Sequence, residues 1–349
     1  GSVGGADRRG ETTDARVRRP EDFRGEVLRQ ESGLERGGPG DHHAPAGGTV
    51  VAGHLCDDVD GGVDVQFGTA QRGGGEQSEE AGGAEVVEVA CCEHVALHAL
   101  RAARYLAKTM LADRRDAMRY MCEKRKMFVA VMAYCELQTD LPDCRGMSLW
   151  WAYRARGLGS RPVSCAEENL LNLKGDPYQG ENIFVHEFAH GIHGVLGKEF
   201  NVRLRVLYDQ AKQSGRFGGY AIDGGLGEFW AEGVQTWFEC NGRKRPKSGR
   251  GSNSFTVIGP QGEIVCHLTT RKLLRTHCPE FAKLLDSTFR QNKWVYVPVA
   301  KRLDEPHLSG FDPADAPEFR WPAAVVEAYH RIEAENAEKE KQRKTESQR

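Results

Sequence analysis

The stretch ENIFVHEFAHGIHGVLG, residues 181–197, decides how the rest of the sequence is interpreted. It contains the pattern HExxH as His186, Glu187 and His190. Because successive residues of an α-helix turn by about 100°, the two histidines lie about 40° apart, one turn from each other on the same face. Two imidazoles placed in this way can bind one metal ion, and Glu187 at the flank can reach a metal-bound water. The stretch therefore predicts a helix that carries a metal site.

The apolar residues of this stretch gather on the side away from the histidines. They are Phe184, Val185, Phe188, Ala189, Ile192, Val195 and Leu196. This pattern predicts a helix over Tyr178 to Leu196, ended by Gly197, with one side buried and the histidines presented on the other. The alternative is a helix whose histidines only form hydrogen bonds within the core.

A zinc ion that keeps one position for water needs a third protein ligand. His193 shares the histidine face, but about 10 Å of helix rise separates it from His186, so we expect it to line the cleft without binding. The segment LGEFWAEGVQTWFE, residues 226–239, predicts a second helix with a polar side. We expect Glu228 to be the third ligand and Glu232 to accept a hydrogen bond from a ligand imidazole. The two roles are geometrically exchangeable, and such a polar side, taken alone, is also typical of a solvated helix.

Longer segments resemble a known family. The HEFAH core, a tyrosine before the second helix and the EFWAE segment are similar to the gluzincin zinc metallopeptidases. RARGLG at 154–159, EENLLNLKGDPYQGENIFVHEFAHGIH at 167–193 and FWAEGVQTWFECN at 229–241 resemble the lethal-factor-like zincins, the group related to the catalytic domain of anthrax lethal factor. The similarity extends from about Leu100 to Pro298.

This resemblance implies an α+β, zincin-like domain with a small mixed sheet, in which His186, His190 and Glu228 bind Zn²⁺. It also implies peptide-bond hydrolysis, with Glu187 as the base that activates a zinc-bound water. Tyr220 would then donate a hydrogen bond to the developing oxyanion. Tyr220 lies eight residues before Glu228, one more than the family pattern has, and its alternative role is a packing residue in a Gly-rich loop.

Two other functions stay open. The first is a catalytically inactive, zinc-containing module that binds a partner protein; the presence of Glu187 disfavours it, because a binding module does not need that carboxylate. The second is a purely structural metal, which would need a fourth protein ligand from His193 or Glu232.

The expected partner is a peptide or protein substrate, about whose sequence little can be predicted. Gluzincins commonly bind a peptide along an edge strand, and EENLLNL at 167–173 is the candidate strand, with an interior strand as the alternative. His267 and Arg271 can line the cleft or pair with a substrate carboxylate; a structural role is the alternative for both.

The composition changes sharply near residue 100. Residues 1–90 hold 20 of the 41 glycines, and residues 1–100 contain no Trp, Tyr, Lys, Met, Ile or Asn. We therefore expect 1–100 to be a disordered low-complexity segment or a gene-model artefact. We expect 101–300 to be the metallopeptidase domain and 301–349 to be a charged tail, either a solvated helix or disordered. Further predicted elements are a strand over Met127 to Ala133, helices over Leu204 to Lys212 and Lys272 to Phe289, and an extended stretch from Trp294 to Val299.

The net charge, the apolar runs and the cysteines disfavour some classes of protein, but they do not show whether the protein is secreted or intracellular. A net charge of −2 gives no signature of nucleic-acid binding, and no apolar run approaches the roughly 20 residues of a membrane span. None of the ten cysteines forms a CxxC pair, so a separate structural zinc site is not expected. The pairs Cys135/Cys144 and Cys240/Cys266 are close enough in sequence for disulfides, which would indicate secretion; buried thiols are the alternative. We expect the N-terminus to be incomplete, so the lack of a signal peptide is uninformative.

Overall fold

The computed structural model describes residues 51–57, 63–69, 88–91, 94–125, 127–159, 162–242 and 254–347. Helices and two small sheets alternate along this part of the chain, an architecture compatible with the expected α+β class.

Six strands form a mixed sheet in the order β2-β1-β3-β4-β6-β5. They are β1 (Val51–Asp57), β2 (Val63–Thr69), β3 (Glu88–Cys91), β4 (Phe128–Met132), β5 (Gly157–Gly159) and β6 (Val163–Ala166). Strands β3, β4 and β6 are parallel, whereas β1, β2 and β5 run antiparallel to their neighbours. The strand predicted over Met127 to Ala133 is confirmed as β4, and it is buried from Val129 onward because it lies inside the sheet.

The first three strands lie within the segment that we expect to be disordered. β3 pairs in parallel with β4, with Val89 opposite Val129, and β1 pairs with both β2 and β3. The expectation therefore differs from the structure for these strands, which extend the sheet beyond the predicted domain. Residues 1–50, 58–62 and 70–87 lie outside the described residues, so the prediction stays a prediction there.

Eleven α-helices follow in the described part of the chain. They are α1 (Leu97–Met110), α2 (Arg115–Arg119), α3 (Leu149–Arg154), α4 (Glu167–Leu170), α5 (Ile183–His193), α6 (Gly197–Gln213), α7 (Tyr220–Asp223), α8 (Leu226–Trp237), α9 (Arg271–His277), α10 (Pro279–Thr288) and α11 (Ala323–Ser347). A π-helical turn at Tyr120–Lys124 continues α2, and short 3₁₀ turns occupy Gln138–Asp140, Pro142–Cys144, Val299–Lys301 and Pro306–Leu308. The second sheet has the order β7 (Phe217–Gly218), β8 (Thr256–Ile258), β9 (Ile264–His267).

Three predicted helices have different boundaries in the structure: the HExxH helix, the helix over Leu204 to Lys212 and the helix over Lys272 to Phe289. The second of these is α6, which begins at Gly197, the residue predicted to end the HExxH helix. The first helix begins at Ile183 and not near Tyr178, because the Asn182 side chain caps it by accepting a hydrogen bond from the Val185 N–H at 3.0 Å. The helix predicted over Lys272 to Phe289 is divided at Cys278 into α9 and α10. Pro279 causes the division, since it has no N–H to continue a helix but fits the first turn of a new one.

The prediction of a strand in EENLLNL is wrong. Its first four residues form α4, directly after the buried strand β6. Side chains fix this turn: Glu167 accepts hydrogen bonds from the Ala96 and Tyr134 N–H groups, each at 2.8 Å, and Asn169 accepts one from the Ile183 N–H at 2.7 Å. These contacts compete with strand pairing and hold the segment against the start of α5.

The core is centred on the contact between α5 and α8. Its largest members are fully buried aromatic side chains: Phe184, Phe188, Phe229, Trp230 and Trp237. The indole N–H of Trp230 donates to the Ala189 carbonyl oxygen at 2.7 Å, which fixes one helix against the other. The predicted apolar side of the HExxH helix is confirmed. Because this side packs in the core, the histidines on the other side of α5 face the first turn of α8.

The closing segment, expected to be a tail, has two parts. Leu308, Phe319, Val325 and Ala328 are buried, so packing against the domain continues well past residue 300. From Arg331 onward nearly every described residue of α11 is exposed, and this part is the solvated helix that the charge pattern predicts.

One buried contact of this segment is sensitive to pH. Arg302 Nη1 donates to His307 Nε2 at 2.5 Å, and the His307 ring stacks on Tyr105 with 3.9 Å between centroids. Burial and the charge of Arg302 lower the pKa of His307 to about 4, against 6.5 for an ordinary histidine. Between these pH values the unfolded chain binds the extra proton and the folded chain does not.

We therefore expect the free energy of unfolding to fall as the pH decreases from about 6.5 to about 4. Carboxylates contribute to the same fall, so the variant His307→Gln isolates the histidine: its stability should decrease less over this range. Urea unfolding of both proteins at pH 7 and pH 4.5 measures the difference. The same pH dependence in both proteins would contradict the assignment.

The seven described cysteines are free thiols, so Cys135/Cys144 and Cys240/Cys266 do not form disulfides. Among the described residues, no helix has both the length and the apolar character needed to cross a membrane.

Candidate metal centre

Three side chains from two helices converge where α5 faces the first turn of α8. His186 Nε2 lies 3.0 Å from Glu228 Oε2, and His190 Nε2 lies 3.6 Å from Glu228 Oε1. The two Nε2 atoms are 3.3 Å apart. One ligand atom from each residue lies within 4.8 Å of the other two, so the group can hold a metal ion. The structure thus brings together the three ligands predicted from the sequence.

Charge holds these three side chains together. Burial lowers the pKa of His186, but the hydrogen bond and charge of Glu228, with the charge of Glu187, outweigh burial and raise that pKa to about 10. Burial raises the pKa of Glu228, but the hydrogen bonds of its carboxylate to His186 and His190 outweigh burial and hold that pKa far below its usual range. The carboxylate therefore stays ionised beside the two imidazoles, as a metal ligand must.

Glu187 lies at the flank of α5, where the edge strand β5 crosses the helix. A Cβ atom added at Gly157 would lie 3.0 Å from Glu187 Cγ, and one added at Gly159 would lie 2.4 Å from His190 Cβ. Only glycine permits so close an approach. Burial raises the pKa of Glu187, and the charges of His186 and His190 oppose that rise. The edge strand that lies against the HExxH helix is therefore part of the RARGLG segment, not of EENLLNL.

The hydrogen-bond partner of a ligand imidazole differs from the prediction. His186 Nδ1 donates to Gln235 Oε1 at 3.0 Å, while Glu232 Oε2 accepts from Asn241 Nδ2 at 2.8 Å. Gln235 is fully buried, and its own Nε2 donates to the Asn182 carbonyl oxygen at 3.1 Å. That second bond leaves Oε1 as the acceptor, which places the proton of His186 on Nδ1 and directs Nε2 toward the metal position.

The sequence held a partial signal for Gln235. It shares the polar side of α8 with Glu228 and Glu232, but helical spacing alone does not show which of the later two faces a histidine on another helix.

We expect Gln235→Leu to weaken zinc binding by about 10–100-fold, because the His186 ring loses the acceptor that fixes its tautomer and orientation. Competition with a chromophoric chelator measures the affinity, and thermal unfolding with zinc present shows whether the variant folds. Wild-type affinity in a folded Gln235→Leu protein would remove Gln235 from this role.

Tyr220 opens the short helix α7, just before α8. Burial raises its pKa to about 12, and the charge of Glu228 adds to the rise. Tyr220 therefore keeps its proton at neutral pH and stays a hydrogen-bond donor.

The remaining polar candidates have structural partners. His193 Nε2 lies 2.6 Å from Asn201 Oδ1, outside the ligand group. Arg271 donates to the backbone carbonyl oxygens of Trp237, Asn292 and Trp294, each at 3.0 Å, and so joins the end of α8 to the loop after α10. The Nδ1 atom of His267 is buried, and His267 is not part of the metal-ligand group.

Comparison of the chain with protein-family models, curated proteins and solved structures gave no match. The function is therefore inferred from the geometry and chemistry of the site itself.

Proposed function

We propose that this chain is a zinc-dependent metallopeptidase of the gluzincin type, with a zincin-like fold, that hydrolyses peptide bonds in peptide or protein substrates. One observation carries the proposal: the HExxH helix, a glutamate on a second helix and an edge strand meet at one group of metal-ligating atoms.

The donor set and its spacing fit zinc. Ligands at about 2.0–2.1 Å in a tetrahedron around zinc are about 3.3–3.4 Å from one another. The two Nε2 atoms are 3.3 Å apart, and each lies at a similar distance from one oxygen of the Glu228 carboxylate: His186 Nε2 is 3.0 Å from Oε2, and His190 Nε2 is 3.6 Å from Oε1. Two imidazole nitrogens and one carboxylate oxygen are also a donor set of known catalytic zinc sites.

The group favours an open site over a structural one. Three residues provide ligands, and the two candidate fourth ligands have hydrogen-bond partners outside this group: His193 contacts Asn201, and Glu232 accepts a hydrogen bond from Asn241. A position is then left for water or substrate, which hydrolysis requires.

When bound, zinc would supply a Lewis acid that lowers the pKa of water and polarises a carbonyl group. Glu187 would accept the proton of the attacking water and deliver it to the leaving amine, a task suited to a carboxylate whose pKa is raised. Tyr220 would donate a hydrogen bond to the developing oxyanion. Strand β5 pairs on one side with β6, and its other side can bind an extended peptide by strand addition.

Incubation of the zinc-loaded full chain with a peptide library, read by mass spectrometry, tests the proposal. We expect cleavage that stops when 1,10-phenanthroline removes the metal and returns when zinc is added. Binding of zinc and peptides without any cleavage would overturn the peptidase proposal and favour the catalytically inactive binding module.

A further inference from the structure

Arg154 lies beside the candidate site, although the sequence gives it no role. It is the last residue of α3, three residues before the edge strand β5. Its guanidinium carbon is 5.8 Å from the centre of the Tyr220 ring. The Tyr178 hydroxyl donates to the Arg154 carbonyl oxygen at 2.6 Å, which fixes the backbone from which the side chain extends.

Arg154 differs from two nearby arginines in its partners. The guanidinium of Arg156 is buried and donates to both carboxylate oxygens of Glu168, at 2.5 and 3.0 Å. Arg271 donates to three backbone carbonyls. Arg154 is only partly buried, and no carboxylate in the described ranges lies within ion-pair distance of its guanidinium. Within those ranges its donors form no ion pair and can bind a ligand.

The chemistry of this position favours an anion. A guanidinium partly removed from water loses hydration, and a carboxylate that binds it through two parallel hydrogen bonds offsets that loss. The charge of Arg154 reaches the site, where it opposes the rise that burial causes in the pKa of Glu187 and of Tyr220.

We propose that Arg154 binds a carboxylate of the substrate, either an Asp or Glu side chain or the free C-terminus, and so makes the site selective for peptides with a negative charge near the scissile bond. This inference rests on the proposed peptidase function, whose substrate class it names.

Matched peptides test the proposal with the zinc-loaded full chain. One set consists of blocked Ala/Leu octapeptides with a single Glu at each position in turn, each paired with its Gln counterpart. A second set compares a free C-terminal carboxylate with the amide. We expect kcat/KM to be about tenfold or more higher for the charged member of a pair at one position. The set in which the preference occurs identifies the source of the carboxylate.

Arg154→Gln should reduce this ratio to about 1, because kcat/KM falls far more for the charged peptides than for their neutral counterparts. Arg205→Gln is the matched control, because Arg205 lies 5.9 Å from the Tyr208 ring on α6 but is exposed and outside the site. Its ratio should equal that of the wild type. No preference in the wild type, or equal losses on charged and neutral peptides in Arg154→Gln, would overturn the proposal.

A measurement of peptide binding tests the carboxylate site separately from the proposed peptidase function. Fluorescence anisotropy of the same peptides, labelled with fluorescein, reports affinity without cleavage. An Arg154-dependent preference in binding, without cleavage of any peptide, would support the carboxylate site and overturn the peptidase proposal. Cleavage without a preference for charge would support the peptidase and overturn the carboxylate site.

Discussion

Glu187→Gln is expected to bind zinc as the wild type does and to lower kcat by about 10²–10⁴-fold. The amide has nearly the shape of the carboxylate but cannot accept the proton of the attacking water. Glu187 lies outside the ligand group, so its replacement leaves His186, His190 and Glu228 in place. Zinc content and the rate of cleavage of one library peptide, both measured on the same preparation, check the two halves of the prediction.

The exposed Glu199 on α6 offers a matched control, since Glu199→Gln makes the same chemical change away from the site. It should cleave at the wild-type rate. Full activity of Glu187→Gln would remove Glu187 from the chemistry, and loss of zinc from that variant would show that its carboxylate belongs to the metal site.

Glu228→Ala is expected to lose zinc. Its carboxylate contacts both histidines, and its removal takes away one of three ligands. The loss in affinity should exceed the roughly 10–100-fold effect of removing a hydrogen-bond partner of a ligand. Titration with a chromophoric chelator measures zinc affinity in the folded variant.

Glu232→Gln is the control, because Glu232 lies one turn further along α8 and accepts a hydrogen bond from Asn241. The prediction is that Glu232→Gln keeps zinc. Retention of zinc by Glu228→Ala together with its loss from Glu232→Gln would mean that the two glutamates exchange the roles assigned to them.

The residues of the ligand group could be proposed from the sequence, because residue spacing along a helix and the types of metal-binding side chain can both be read from it. The spacing of His186 and His190 places them on one face of any helix, and Glu228 lies in the first turn of the second predicted helix, on the same side as Glu232. The partner of the His186 Nδ1 atom was not predictable. Gln235 and Glu232 share one side of α8, and only the packing of α8 on α5 decides which of them reaches the imidazole.

The edge strand was misassigned for a related reason. An apolar run such as EENLLNL fits a strand or a short buried helix equally well, and the hydrogen bonds of Glu167 and Asn169 that select the helix come from distant parts of the chain. The strand that crosses the site, Gly157–Gly159, has no alternating pattern; its glycines permit contact with α5. Nor does the sequence distinguish Arg154 at the site from Arg156 in a buried ion pair, two residues away.

The zinc content of the purified full chain, measured by elemental mass spectrometry, tests the central claim most directly. The geometry of His186, His190 and Glu228 predicts one zinc ion per chain. A folded wild-type chain that holds no zinc, even after zinc is added, would contradict the account.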